Sequence, residues 1–171
     1  MQGDALRGKT GIAGVRAMNR LDSRGEPDTS ARMSNSSQAR AVKLIQAYYE
    51  TFNLGDREAF LALLTDDVAH DINQGGTEVG KDAFRLFLAR MDRCYREQVR
   101  DLVVFADESG TRGAAEFFIE GEYLSTDEGL PPASGQRYRL RVGAFFELRG
   151  DHVSRVTNYY NLEEWLRQVG A

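Results

Sequence analysis

Ala47-Tyr48-Tyr49-Glu50-Thr51-Phe52-Asn53-Leu54-Gly55-Asp56 and, shortly after it, Leu64-Thr65-Asp66-Asp67-Val68 set the order of elements from which the rest of the chain can be read. Upstream of Gly55, Val42, Ile45, Tyr49 and Phe52 recur at helical spacing, with Ala41, Leu44 and Tyr48 beside them. Glycine ends a helix readily because it adopts the left-handed backbone that closes the last turn. Asp56 suits the cap of a second, short helix through Phe60, Leu61, Leu63 and Leu64, its carboxylate accepting from an orphan amide. A strand is expected at about 68–73. A third helix follows Gly80, with Phe84, Phe87, Leu88 and Met91 on one stripe.

Beyond that helix the apolar period changes to two. Strands are expected at about 99–106, 114–124, 137–148 and 153–160. A last helix starts at Asn161, with Glu164 at the third position to complete the cap. Helices early and strands late give an α+β class, with helices against one face of a mainly antiparallel sheet.

Working back from the first helix, residues 1–37 have no apolar periodicity. Arg7, Lys9, Arg16, Arg20, Arg24 and Arg32 alternate with Asp4, Asp22, Glu26 and Asp28 among glycines and serines. That composition predicts a disordered extension over 1–37 and a single domain over 38–171. The acids and the missing amphipathic stripe argue against a targeting peptide. Across 171 residues, 26 acids against 22 bases give a net charge of −4, which argues against a nucleic-acid binder. No apolar run is long enough to cross a bilayer, and a lone Cys94 forms no intrachain disulfide. A cytoplasmic protein without a membrane role is therefore expected.

The later strands carry a face code. Tyr138, Leu140, Val142, Ala144, Phe146 and Leu148 share one face; Arg137, Arg139, Arg141 and Glu147 share the other. In the preceding strand Ala115, Phe117, Ile119 and Tyr123 oppose Glu116, Glu120 and Glu122. If the two strands form a hairpin, the Glu and Arg faces coincide as a charge ladder on the outside. Metal and phosphate motifs are missing: His70 and His152 are too few, and Gly75-Gly76 is too short for a phosphate loop. Neither a cofactor nor a metal is expected.

The Asn53-Leu54-Gly55-Asp56 and Asp66-Asp67-Val68 pieces resemble the ketosteroid isomerase and polyketide cyclase-like branch of the nuclear transport factor 2-like superfamily. His70-Asp71-Ile72-Asn73-Gln74-Gly75-Gly76 and the ending Asn158-Tyr159-Tyr160-Asn161 are similar to its ketosteroid isomerase-related members. The resemblance covers about 38–170. It implies a cone: a strongly curved sheet and three N-terminal helices enclosing a pocket, often in a homodimer. It also implies a scheme in which a carboxylate moves a proton beside a carbonyl while a tyrosine and a protonated acid hold the enolate oxygen.

Counting back from Asn53 places Tyr48 at the oxyanion tyrosine, while its place on the apolar stripe equally suits a core aromatic. An ungapped count from Asp66-Asp67 places Ile72 at the base position, with Asp71 one residue earlier. A one-residue slip turns a strand side chain to the other face, so Asp71 reaches the pocket only through a bulge or changed register. Otherwise His70 shares the pocket face with Val68 and Ile72, and an imidazole takes up a proton near neutral pH with little tuning. His70 and Asp71 are competing bases, and simple alternation favours His70. The second acid falls at Ala144 or Gly143, neither of which donates a proton. Asn158 and Tyr160 alternate onto the same face as possible substitutes, and with Ile72 and Asn73 form the expected binding surface. Tyr159 points the other way.

Two functions follow. One is a cofactor-independent proton-transfer enzyme, of isomerase, cyclase or dehydratase type, acting on a small apolar cyclic carbonyl compound. The alternative is a non-catalytic small-molecule-binding or dimeric interaction module on the same fold, favoured by the missing acid.

Overall fold

The computed structural model describes residues 29–73 and 75–170, with side chains from Ser36 onward. The first helix, α1, is Thr29–Leu54. It starts inside the segment expected to be an extension, because no glycine or proline interrupts the chain between Pro27 and Gly55. Residues 1–28, the rest of that expected extension, lie outside the described residues. The helix is tied to the sheet at its middle, where the Gln38 side-chain amide donates to the Ala106 carbonyl at 2.8 Å.

Both sequence-read caps are made. Gly55 turns left-handed at φ 71°, and Asp56 accepts from the Ala59 amide at 3.0 Å to open α2, Arg57–Ala62. Asn161 accepts from the Glu164 amide at 3.1 Å to open α4, Leu162–Val169. Between α2 and α3 (Lys81–Cys94) run two strands, β1 (Leu64–Asp71) and β2 (Thr77–Val79). The sequence pattern misses β2, since three residues are too few to alternate. It also starts β1 late, at about 68. The remaining strands are β3 (Tyr95–Ala106), β4 (Arg112–Tyr123), β5 (Gln136–Arg149) and β6 (His152–Tyr160). Here β3 begins ahead of the expected 99, a difference that matters for the site.

All six strands form one sheet in the order β2-β1-β6-β5-β4-β3. Only β1 and β6 run parallel. The sheet is curved and unclosed, the cone expected from the resemblance. Part of the bend lies in β3, where the ladder to β4 is irregular between Arg100 and Val103 and Asp101 takes φ 54°. The core lies between the inner face and the helices: Tyr123 and Val156 from the sheet and Ile45, Phe60 and Phe84 from α1, α2 and α3 are among the largest fully buried side chains. Each such side chain contributes about 1.5–3 kcal/mol relative to exposure.

The outer face is the charge ladder read from the sequence. Arg141 meets Glu116 at 2.7 Å, Arg139 meets Glu120 at 3.4 Å and Arg112 meets Glu147 at 2.6 Å. Glu122, although paired in register with Arg137, takes Arg96 of β3 at 3.0 Å instead. These pairs are half exposed, so each is worth about 0.2–1 kcal/mol at most. Val103, Phe105, Phe145 and Tyr159 are exposed on this face beside them.

Candidate functional site

The concave face of the sheet, α1 and α3 enclose a cavity of about 500 Å³ lined mainly by aromatic and aliphatic side chains. Polar groups enter it from both flanks of the sheet. On β1, His70 follows the alternation of Val68 and is buried, 3% exposed. Its ring stacks on Phe84 at 4.5 Å and meets Phe87 edge-on at 4.4 Å. Its Nδ1 has no hydrogen-bond partner among the described residues. Burial pulls its pKa down to about 4, with Arg90 adding to the effect and Asp71 opposing it. The imidazole is therefore neutral at physiological pH, a base of about carboxylate strength.

Asp71, the competing base, also lines the cavity, but its carboxylate is engaged by side chains of β2 and β6. The β1–β6 ladder is irregular between Leu64 and Ala69, upstream of the pair, and runs regularly from Ala69 to Asp71. No bulge turns Asp71 onto the face that His70 shares. Its carboxylate accepts from Arg155 Nε and Nη2 at 2.8 Å each, from Thr157 at 2.7 Å and from Thr77 at 2.6 Å. Arg155 and Thr157 flank the buried Val156 and so lie on the outer face. Burial alone would raise the Asp71 carboxyl, but these hydrogen bonds outweigh it and hold the group below the usual carboxylate range. The carboxylate of Asp71 clamps β1, β2 and β6 together, its oxygens occupied by Thr77, Arg155 and Thr157.

Tyr48 is buried on α1, packed against Phe60 at 4.4 Å, Tyr49 at 5.2 Å and Phe146 at 5.4 Å, and it lines the cavity. Its neighbour Tyr49 also lines the cavity, with a buried hydroxyl that has no partner among the described residues. Burial pushes both phenols up, Tyr49 further by its closeness to Tyr48, so both remain donors. The count from Asn53 missed Tyr49, although its place on the same stripe was legible.

Ile72, Asn73, Asn158 and Tyr160 all line the cavity. Ile72 donates its amide to the Gly76 carbonyl at 3.1 Å in the turn before β2, and Asn73 Nδ2 reaches the Tyr160 carbonyl at 3.4 Å. Asn158 pairs in register with Ala144, the position where the resemblance calls for an acid. Tyr159 points outward, 55% exposed.

Two carboxyls that the sequence reading did not single out also line the cavity. Glu97 enters from β3, where Tyr138 donates a hydrogen bond to its Oε1. Asp127, in the β4–β5 connection, is buried; its Oδ2 accepts from the Tyr95 hydroxyl at 3.0 Å, and Arg90 Nε stands 3.9 Å away. Among the described residues no group of three or more His, Cys, Asp or Glu is placed to hold a metal ion. No helix among them is long and apolar enough to cross a membrane.

A curved six-stranded sheet with helices over its concave face, and a pocket between them, defines the nuclear transport factor 2-like class. Within it, the SnoaL-like domain model matches residues 45–156, and the chain belongs to that family. Among solved structures, a protein from Xanthomonas campestris pv. campestris that carries the name polyketide cyclase is 57% identical. The match covers 77% of this chain and 98% of that one, with a TM-score of 0.75. A protein of the same name from Pseudomonas putida is 54% identical over 75% of this chain and 97% of that one, with a TM-score of 0.75. One from Kribbella flavida named for ketosteroid isomerase is 23% identical over 73% of this chain and 80% of that one, at a TM-score of 0.55, and shares the fold alone. No curated protein matches the chain.

Proposed function

We propose that the chain is a cofactor-independent proton-transfer enzyme, of isomerase, cyclase or dehydratase type, acting on a small apolar ring compound with a carbonyl group. The observation that carries this reading is the neutral, buried His70 in an apolar cavity that also holds the unpartnered hydroxyl of Tyr49. His70 takes a proton from the carbon next to the carbonyl. The hydroxyls of Tyr49 and Tyr48 donate to the enolate oxygen as charge develops there, and the proton returns at another carbon. An imidazole held at about 4 matches in strength the carboxylate base that the resemblance brings with it. Names of the relatives, polyketide cyclase among them, support a catalytic use of this pocket.

Ultraviolet-monitored double-bond migration of a β,γ-unsaturated 3-ketosteroid tests the reading across pH. Tyr48→Phe should lower turnover about 10-fold to 100-fold, since one of two neighbouring donors remains. Asp71→Asn should keep the parent's rate within a small factor. No turnover of this or any ring ketone by the folded parent would favour the non-catalytic binding module instead.

The outer face supports a homodimer as the assembled form. Phe105, Phe145 and Tyr159 are exposed among alternating Glu and Arg, a mixture that a second copy can match by symmetry. Sedimentation at micromolar concentration should give twice the chain mass, and Phe145→Glu should return it to the monomer. A parent that sediments as a monomer would remove the dimer.

A further inference from the structure

Arg57, Arg141 and Arg155 each bond a carboxylate directly: Arg57 Nε to Asp92 at 2.9 Å, Arg141 Nη2 to Glu116 at 2.7 Å and Arg155 Nε to Asp71 at 2.8 Å. Arg90 of α3 does not. It is the one lysine or arginine among the described residues that lines the cavity. Its Nε stands 3.9 Å from Asp127 Oδ2, close enough for attraction but beyond a hydrogen bond. Among the described residues no other acceptor takes one of its N–H groups.

Asp127 is already engaged. Its Oδ2 accepts from the Tyr95 hydroxyl at 3.0 Å and its Oδ1 from the Glu128 amide at 3.0 Å. These bonds fix a buried carboxylate, whereas the Arg90 side chain is half exposed. What the guanidinium rests on is a ring: its carbon lies 5.6 Å from the centre of Phe87, and the same ring meets His70 edge-on at 4.4 Å. Arg90 is thus one ring removed from His70. Its charge adds to the burial that keeps His70 neutral, and it opposes the burial that raises the Tyr160 phenol.

A guanidinium presents five N–H donors in a planar fork that matches the two oxygens of a carboxylate. A permanent cation at the wall of an apolar cavity, with its donors unspent, suits an anion brought in by the ligand. We infer that Arg90 is a ligand-binding residue that takes a carboxylate, so that the compound held in this cavity is a ring ketone with one anionic edge. This rests on the reading of His70 as the base for the ketone. The carbonyl stays with His70 and the tyrosines, and the carboxylate turns past Phe87 to Arg90. Asp127 opposes this attraction, because its negative charge stands beside the same guanidinium.

The probes are 6-carboxy-2-tetralone and its methyl ester, which are similar in shape and differ by one charge. In calorimetric titrations at neutral pH the parent should bind the acid about 10-fold more tightly than the ester, the gain expected of one charged contact at a half-exposed site. Arg90→Gln keeps the stem over Phe87 and removes the charge, and it should bring the two affinities together. Asp127→Asn removes the opposing charge and should widen the preference by about 2-fold to 5-fold. A general loss of folding weakens acid and ester alike and cannot drive the two variants in opposite directions.

Equal affinities in the parent, no binding of either probe, or a preference that survives Arg90→Gln or narrows in Asp127→Asn would overturn the inference. A preference for the acid that follows Arg90, without exchange of the α-protons of either probe, would uphold it while removing the proton-transfer reading.

Discussion

His70→Gln is expected to lower proton-transfer turnover about 100-fold or more, the usual effect of losing a positioned general base, with the far-ultraviolet circular dichroism unchanged. Glutamine fills similar space against Phe84 and Phe87 but takes up no proton near neutral pH. The same substitution has a second signature. Folding holds the imidazole neutral, with its pKa at about 4 against an ordinary 6.5, so between those values the unfolded chain binds more protons. This contribution to stability is whole above pH 6.5 and is lost as pH falls towards 4. It amounts to about 3 kcal/mol. Denaturant melts at pH 7 and pH 4.5 should show a large loss in the parent and a much smaller one in His70→Gln. Asp71, whose carboxyl is held below the usual carboxylate range by its hydrogen bonds, also loses stability as the pH falls, but it does so equally in both proteins and drops out of the comparison.

The second large effect belongs to Gly121→Ala. A Cβ at Gly121 would lie 2.2 Å from Tyr138 Cζ and 2.5 Å from its hydroxyl oxygen. The two residues are direct partners in the β4–β5 ladder, so the backbones cannot separate without opening the sheet. The phenol must instead swing out, giving up its bond to Glu97 and its packing on Trp165. Overpacking costs about 1–3 kcal/mol, and the lost hydrogen bond adds roughly 1 kcal/mol. A fall in melting temperature of about 5–15 °C is expected for a domain of this size. Gly143→Ala is the control: it lies in the neighbouring strand with nothing within 4 Å of its Cβ, and it should change stability by less than about 0.5 kcal/mol. Equal melting temperatures for the two variants would contradict the packing described around Tyr138.

How much of this was legible in the sequence depended on whether the signal was local. The caps at Asp56 and Asn161 need only a side chain and an amide three residues on, and both form as read. Alternation within one strand was enough to turn His70 inward and Tyr159 outward. The charge ladder followed from two strands read together, although the partner of Glu122 came from a third. Glu97 lies ahead of the strand expected from about 99; stepping back by twos from Val99 puts Glu97 and Tyr95 on its inner face. Asp127 gave no such signal, since its burial depends on Tyr95 and Tyr123 from two strands. The Asp71 clamp was equally hidden, because Arg155 and Thr157 meet it only through the parallel pairing of β1 with β6.

Exchange of the α-protons of 2-tetralone for deuterium, followed by proton nuclear magnetic resonance in heavy water, isolates the proton transfer from the identity of the natural substrate. The parent should accelerate exchange well beyond buffer, His70→Gln should return it to within a small factor of buffer, and Asp71→Asn should leave it near the parent's rate. Exchange no faster than buffer with folded parent, or unchanged in His70→Gln, would contradict His70 as the base of this pocket.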